Sequence, residues 1–347
     1  MRALTVIPGK TRSGALTDVP EPPEEEGPVL VAAAAVGVCG TDEEILTGAY
    51  GWAPPGQERL VLGHESLGKV LEAPADAPVS KGDLVVGFVR HPDPEPCLNC
   101  AAGEWDMCRN GRYTEHGIKE RHGFLRERYR LRPDHLVTVE SSLGSSGVLL
   151  EPTSVVAKCW DHVDRIGSRA EWDPACALVT GAGPIGLLAA MIGAQRGLEV
   201  HVLDRATVGA KPALVADLGA AYHTDIGQVD HDVDVVIECT GVGELAFEAL
   251  PLVRPDGVVA LAGISGSDRT YPLEADAVNK RIVLENIALF GSVNANRRHY
   301  EDAASALAAA DSGWLERLIT RKVPLDRWSR AMERQPDDVK TIIQIGP

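Results

Sequence analysis

Gly181-Ala182-Gly183-Pro184-Ile185-Gly186 fits G-x-G-x-x-G, and its setting constrains the fold more than any other feature of the chain. The apolar run 175–180 reads as a strand leading into it, and 187–196 as a helix leaving it. Each glycine has a separate task there. Gly181 permits a tight turn, Gly183 lets a pyrophosphate approach the backbone, and Gly186 lets the helix pack against the strand. The free N–H groups of the helix start, from Ile185 onward and beside Pro184, which has none, then meet phosphate charge. A glycine-rich turn without a ligand is the bland alternative, and the flanking strand and helix speak against it.

The segments that follow extend this reading. Residues 200–203, 233–238 and 258–262 read as further strands, and 152–166 as a helix. Strands alternating with helices imply an α/β fold with a parallel, doubly wound sheet, an alternation the chain leaves near Gly291. Asp204 ends the second strand, 18 residues after Gly186. An acid there accepts hydrogen bonds from ribose hydroxyls and repels a 2′-phosphate, which favours NAD. Arg205 and the nearby Lys211 keep NADP open as the second option. Glu238-Cys239-Thr240-Gly241 and Ala262-Gly263-Ile264-Ser265-Gly266 follow later strands. Ligands of open α/β sheets lie beyond the strands' carboxyl ends, so both segments are placed to touch the cofactor, with ordinary turn chemistry as the other reading.

The bulk numbers set the class. A chain of 347 residues suits two domains. Aromatics are only 5%, so the core must come mainly from Ala, Val, Leu and Ile. A net charge of −16 repels nucleic-acid phosphates and anionic lipid, which argues against both as partners. The first residues lack a signal-peptide pattern, and no run approaches a membrane span. Seven cysteines, an odd number, suit a cytoplasmic chain that keeps thiols for metal or packing.

The first part reads as β-rich, with strands expected over 29–38, 60–62, 68–71 and 84–89. Residues 92–123 are polar, hold three cysteines and show little periodicity. A loop of that length calls for a function or a stapling metal. Cys39-Gly40-Thr41-Asp42, Gly63-His64-Glu65 and Glu151-Pro152 each follow apolar runs. Alone each is weak, since a lone Cys is most often a buried small hydrophobe. Together a thiolate, an imidazole and carboxylates suit zinc with one position open to substrate. Such an ion lowers the pKa of an alcohol, which complements hydride transfer to a dinucleotide.

At these motifs the chain resembles the medium-chain, zinc-dependent alcohol dehydrogenase superfamily, over nearly its whole length and in the same order. A narrower resemblance, to archaeal-type glucose dehydrogenases, rests on Cys39 to Ile45, Val89-Arg90-His91-Pro92, Thr114 to Lys119, His122-Gly123-Phe124, Leu150-Glu151-Pro152 and Gly291-Ser292-Val293-Asn294-Ala295. Glu44 stands where many alcohol-specific relatives carry a relay His. The resemblance implies a GroES-like catalytic domain over 1–152, to which 294–347 returns. It implies a Rossmann domain over 153–293 and an active site in the cleft between the two. Cys39 and His64 would bind zinc, with Glu65 and Glu151 as direct or water-mediated partners. Thr41 would hold the reacting oxygen and pass its proton on, and Glu115, Asn294 and Glu151 would meet the sugar. Ser292 and Asn294 would join the cofactor set. Relatives of this kind form dimers or tetramers, so a homo-oligomer is expected.

A polyol pocket needs several directional polar groups, because each buried hydroxyl left unpaired costs about 1–3 kcal/mol. Glu115, Asn294, Arg90 and His299 are polar residues on loops that meet this need, or else are surface and hinge residues. Cys97, Cys100 and Cys108 make a second thiol group. The superfamily has a fourth cysteine, and Gly103 stands in its place here. Either Glu104 or Asp106 closes a structural zinc site, or the lobe holds no metal. Cys159, Cys176 and Cys239 read as core or cofactor-cleft residues.

The leading reading is oxidation of an aldose, glucose first, at C1 to the lactone, with NAD(P). A zinc dehydrogenase of another polyol, secondary alcohol or amino-alcohol (sorbitol or threonine type) is the second. A non-catalytic nucleotide- or sugar-binding protein is the third.

Overall fold

The computed structural model describes residues 1–229, 232–266 and 269–346. The chain divides into two compact units, one formed by Met1–Glu151 with Asn294–Pro347, the other by Pro152–Val293.

The first unit is built on the strand Val29–Val38, whose four central alanines leave room for cover on both faces. It pairs antiparallel with Glu65–Glu72, Arg128–Leu131 and Lys340–Gln344. The last of these comes from far along the chain and brings Ile319–Pro324 into the same sheet. Leu4, Val31, Ile45, Leu62, Phe124 and Ile343 are fully buried in the core beside it. Among the described residues no helix is long and apolar enough to cross a membrane.

The stretch 92–123, expected as a loop, carries small elements instead. Leu98–Ala101 and Trp105–Met107 are single helical turns, and Arg90–His91, Thr114–His116 and Glu120–Arg121 form a three-stranded sheet. Elements of two to four residues are too short for periodicity to reveal. Packing anchors them: Trp105 is buried near Phe88, and His91 stacks on His135 at 4.0 Å.

In the second unit all strands run parallel. Their order is Ala221–His223, Glu199–Leu203, Cys176–Thr180, Val233–Glu238, Val253–Leu261 and Ala288–Gly291. The chain starts in the middle, winds to one edge, then returns past its first strand to the other. The order therefore reverses beside Cys176–Thr180, where doubly wound sheets open a crevice for ligands. The helix Pro184–Gln195 starts at the glycine motif, earlier than its apolar pattern suggests, because Pro184 is suited to a first helical turn. Val253–Leu261 begins before the expected 258: Val253 pairs with Val233 ahead of an irregularity that absorbs Pro255 and Gly257.

Candidate active site

Cys39 directly follows the central strand and caps the helix Gly40–Leu46. Its Sγ accepts from the Thr41 N–H at 3.3 Å, and its own N–H donates to Asp42 Oδ2 at 3.0 Å. This reciprocal cap holds the thiol still. His64 precedes the strand Glu65–Glu72 and places Nε2 3.2 Å from Cys39 Sγ. Its Nδ1 lies 3.6 Å from Oδ1 of the fully buried Asp42. Donor atoms of Cys39, His64 and Glu65 all lie within 4.8 Å of one another.

These residues fit zinc. Bonds of about 2.3 Å to sulfur and 2.0 Å to nitrogen at a tetrahedral angle separate the two donors by about 3.5 Å. The imidazole nitrogen facing the thiol is backed, through its other nitrogen, by a carboxylate, as metal-bound histidines commonly are. The charge balance agrees. Burial, and then the neighbouring Glu65, push the Glu151 carboxyl up to about 7, against the pull of His64 and Lys340. Burial works against a charged His64, but Cys39 and Asp42 hold it well above the usual imidazole range. A dication would relieve this surplus of anionic donors.

Two residues that sequence reasoning missed complete the centre. Lys340 is buried, pairs with Glu65 Oε2 and donates to Val38 O at 3.0 Å. Gly37 lies opposite Glu65 in the ladder, and a Cβ there would fall 1.9 Å from Glu65 Oε2. Nothing near Lys340 in sequence announces its role. Thr41, half-buried, stands in the first helical turn beside Cys39.

A second polar group lies in the same unit, with Arg90 and Glu115 buried and Asn294 half-buried. Oε1 of Glu115 accepts from Arg90 Nε at 2.9 Å and from Asn294 Nδ2 at 3.0 Å, and Arg90 Nη2 approaches it to 2.9 Å. Arg90 also donates to Asp106 O at 3.0 Å and lies 3.7 Å over the Tyr113 ring. Asn294 takes a left-handed conformation, φ 61°, which asparagine tolerates better than most residues. Its Oδ1 accepts from the Ala295 N–H at 2.8 Å. His299, fully buried, caps a helix instead, its Nδ1 accepting from the Asn296 N–H at 3.2 Å.

The thiols of Cys97, Cys100 and Cys108 also lie within 4.8 Å of one another. A closed structural zinc needs a fourth ligand. Among the described residues none joins them. Asp106 Oδ1 accepts from Asn296 Nδ2 at 2.9 Å, and Glu104 faces Arg298 at 3.7 Å. Gly103 has no side chain to offer. The residues present do not fit a closed four-ligand site.

In the second unit the glycine motif has the expected geometry. Gly181 has φ 90°, a Cβ on Gly186 would fall 1.7 Å from Gly181 O, and a Cβ on Gly183 would meet nothing within 4 Å. Pro184 and Ile185 open the helix. Asp204 Oδ2 accepts from Ala182 N–H at 2.7 Å and Oδ1 from Ala206 N–H at 2.9 Å, with Lys211 Nζ 3.1 Å away. Burial works against its charge, but those two N–H groups and Lys211 keep its pKa below the usual carboxylate value. Arg205 is exposed. Buried Glu238 organises the next loop, accepting from the N–H groups of Thr240 at 2.6 Å and Gly241 at 3.2 Å. Ser265 Oγ donates to Gly241 O at 2.8 Å, a Cβ on Gly263 would fall 2.1 Å from Gly241 N, and Ile264 is exposed. Ser292 is buried and its N–H donates to Leu261 O at 2.9 Å.

Known proteins resemble this chain over its whole length. Residues 25–141 match the family model for the alcohol dehydrogenase GroES-like domain, and residues 144–345 that for the glucose dehydrogenase C-terminus. The chain is 40% identical to the glucose 1-dehydrogenase of Methanocella arvoryzae, with all of both chains covered. It is also 40% identical to that of Thermoproteus tenax, with 99% of each covered. Among solved structures it resembles Haloferax mediterranei glucose dehydrogenase in complex with NADP, Zn and gluconolactone. There the TM-score is 0.90 at 32% identity, covering 100% of each chain. The chain therefore belongs to the glucose dehydrogenase family, within the medium-chain alcohol dehydrogenase superfamily that carries the GroES-like domain.

Proposed function

We propose that this chain is a zinc- and nicotinamide-dependent oxidoreductase that oxidises an aldose, D-glucose first, at C1 to the lactone. The observation that carries the reading is the buried Glu115–Arg90 pair joined by half-buried Asn294, in the same unit as the Cys39–His64–Glu65 centre. A pocket for a simple alcohol would have no use for a buried carboxylate fixed by three donor atoms.

In this reading Met1–Glu151 with Asn294–Pro347 is the catalytic domain and Pro152–Val293 the dinucleotide-binding domain. Cys39, His64 and Glu65 hold the zinc, with Glu151 beside them. When bound, the ion supplies Lewis acidity that eases loss of the hydroxyl proton. Thr41 accepts that proton and passes it towards solvent. The hydrogen on C1 leaves with its electron pair to the nicotinamide ring, and the ring hemiacetal becomes the lactone. Arg90 and Asn294 already converge on Glu115 Oε1, which leaves Oε2 to meet a sugar hydroxyl. Arg90 is thereby a positioning residue, orienting Glu115.

On the cofactor, the turn that Gly181 and Gly186 shape receives the pyrophosphate at Gly183, and the loops at Thr240–Gly241 and Gly263–Ser265, with Ser292, line the nicotinamide side. The preference for NAD rests on Asp204 alone. The Haloferax mediterranei relative is described with NADP bound. Asp204→Ser should improve use of NADP relative to NAD, and an unchanged ratio removes the preference. We read the chain as a cytoplasmic homo-oligomer. Seven unpaired cysteines suit a reducing compartment, and the edge strand Ala288–Gly291 with exposed Leu289, Val283 and Leu284 suits a subunit contact. Light scattering gives the subunit number.

The test is a rate panel of D-glucose, D-galactose, D-xylose, sorbitol, threonine and ethanol with each cofactor, before and after chelation. Chelator-sensitive oxidation of an aldose is the expected result. Activity confined to sorbitol, threonine or ethanol would overturn the sugar assignment.

A further inference from the structure

The parallel ladder of the unit Pro152–Val293 brings a second thiol, imidazole and carboxylate together. Cys176 lies opposite Glu199, and Leu178 opposite His201. Residues two apart on a strand share a face, so Cys176, Glu199 and His201 project from the same side of the sheet. Their donor atoms lie within 4.8 Å of one another, and His201 Nε2 is 3.4 Å from Glu199 Oε1. On the opposite edge of the ring, His201 Nδ1 is 2.8 Å from His223 Nε2, with the two rings stacked at 5.1 Å. Cys176 and His201 are buried, while Glu199 is exposed and opens the group to solvent.

This arrangement parallels that of Cys39, His64 and Glu65. In both, a Cys, a His and a Glu converge, and a further side chain stands behind the second imidazole nitrogen: Asp42 there, His223 here. Cys176 and Glu199 begin their strands, so they stand at the end of the sheet remote from the glycine loop. The cofactor chemistry has no use for them. An ion bound tetrahedrally to nitrogen and oxygen at about 2.0–2.1 Å separates those donors by about 3.4 Å.

We propose that Cys176, His201 and Glu199 form an accessory metal site for a borderline transition-metal dication such as Zn2+ or Co2+. Sulfur and imidazole donors select such ions over Mg2+ and Ca2+, which prefer oxygen alone. Water fills the fourth position on the exposed side of Glu199. His223 fixes the ring of His201 without touching the ion. The site ties Glu199–Leu203 to Cys176–Thr180 and, through His223, to the edge strand Ala221–His223. This gives Cys176 a role beyond core packing. The competing state is an ordinary ion pair in which a proton on His201 Nε2 faces Glu199.

The zinc-loaded enzyme, titrated with Co2+, separates the two. The readouts are bound cobalt per subunit after gel filtration and the thiolate-to-cobalt charge-transfer absorption. Wild type should take up one more cobalt than Cys176→Ser, which should lose the corresponding absorption. Glu199→Gln, a change at an exposed side chain with little risk to folding, should weaken that uptake about tenfold or more. Oxidation rates should not change in either variant. Equal cobalt uptake by wild type and a Cys176→Ser protein with native circular dichroism would overturn the site. So would a Glu199→Gln protein that binds cobalt as tightly as wild type.

Discussion

Cys39, His64 and Glu65 reach one point from segments 25 residues apart in sequence, whereas Cys97, Cys100 and Cys108 are drawn from twelve consecutive residues. The first group is surrounded by charge that fits it: Asp42 behind His64, Lys340 on Glu65, Glu151 alongside. The second has no such surroundings, and the acids nearest in sequence are turned to Asn296 and Arg298. Three thiols in proximity are thus a weaker sign of a metal centre than three mixed donors inside a matched electrostatic shell. The lobe is still connected to the Glu115 group, because Arg90 bonds both Asp106 O and Glu115. Its contribution passes through backbone position rather than through an ion.

Four experiments test that contrast. His64→Ala should abolish zinc retention and lower kcat/KM by about 10³-fold, since Lewis-acid polarisation is worth several kcal/mol and each 1.4 kcal/mol is about tenfold. Metal analysis alongside steady-state rates checks it; full activity without zinc would dissolve the distinction between the two groups. Lys340→Met should destabilise the metal-free protein by about 3–5 kcal/mol, because it leaves Glu65 buried without its partner. Denaturant midpoints report this, and added zinc should recover part of the loss. Arg90→Lys keeps the charge but loses the planar fork. It should raise KM for glucose about tenfold with a smaller change in kcat, and a change in kcat alone would contradict a positioning role. The double change Cys97→Ser with Cys108→Ser should shift stability by less than about 1 kcal/mol and leave zinc content as it was. Loss of one zinc per subunit together with a large drop in melting temperature would place a structural ion in the lobe after all.

The parts of the site legible from sequence are those whose chemistry is local. The glycine motif is read from six consecutive residues, and Cys39 with Asp42 from four. The alternation of apolar runs is enough for the strands 29–38 and 233–238, which appear with those bounds. Lys340 could not be read, because its meaning depends on which strand lies beside Val29–Val38. Gly37 needs the register that sets it opposite Glu65. Arg90 and His299 looked alike as polar loop residues. Tertiary contacts separate them, one to a carboxylate and the other to a helix cap. The Cys176 group is hidden for a related reason, since its members become neighbours only through parallel pairing.

The sheet that carries Glu65 and borders Cys39 and His64 also bears on the order of events during synthesis. Lys340–Gln344 takes its place beside Val29–Val38 only after the whole of Pro152–Val293 has been made. At about 5–20 residues per second, the 189 residues from Glu151 to Lys340 take roughly 10–40 s. Through that interval the nascent first unit has its thiol, imidazole and both carboxylates, but neither the closing strand nor the cation that balances Glu65. A ribosome-bound chain of this kind presents an open strand edge and an anionic pocket at the same time. The closing strand and the cation that balances Glu65 thus arrive together, in Lys340–Gln344.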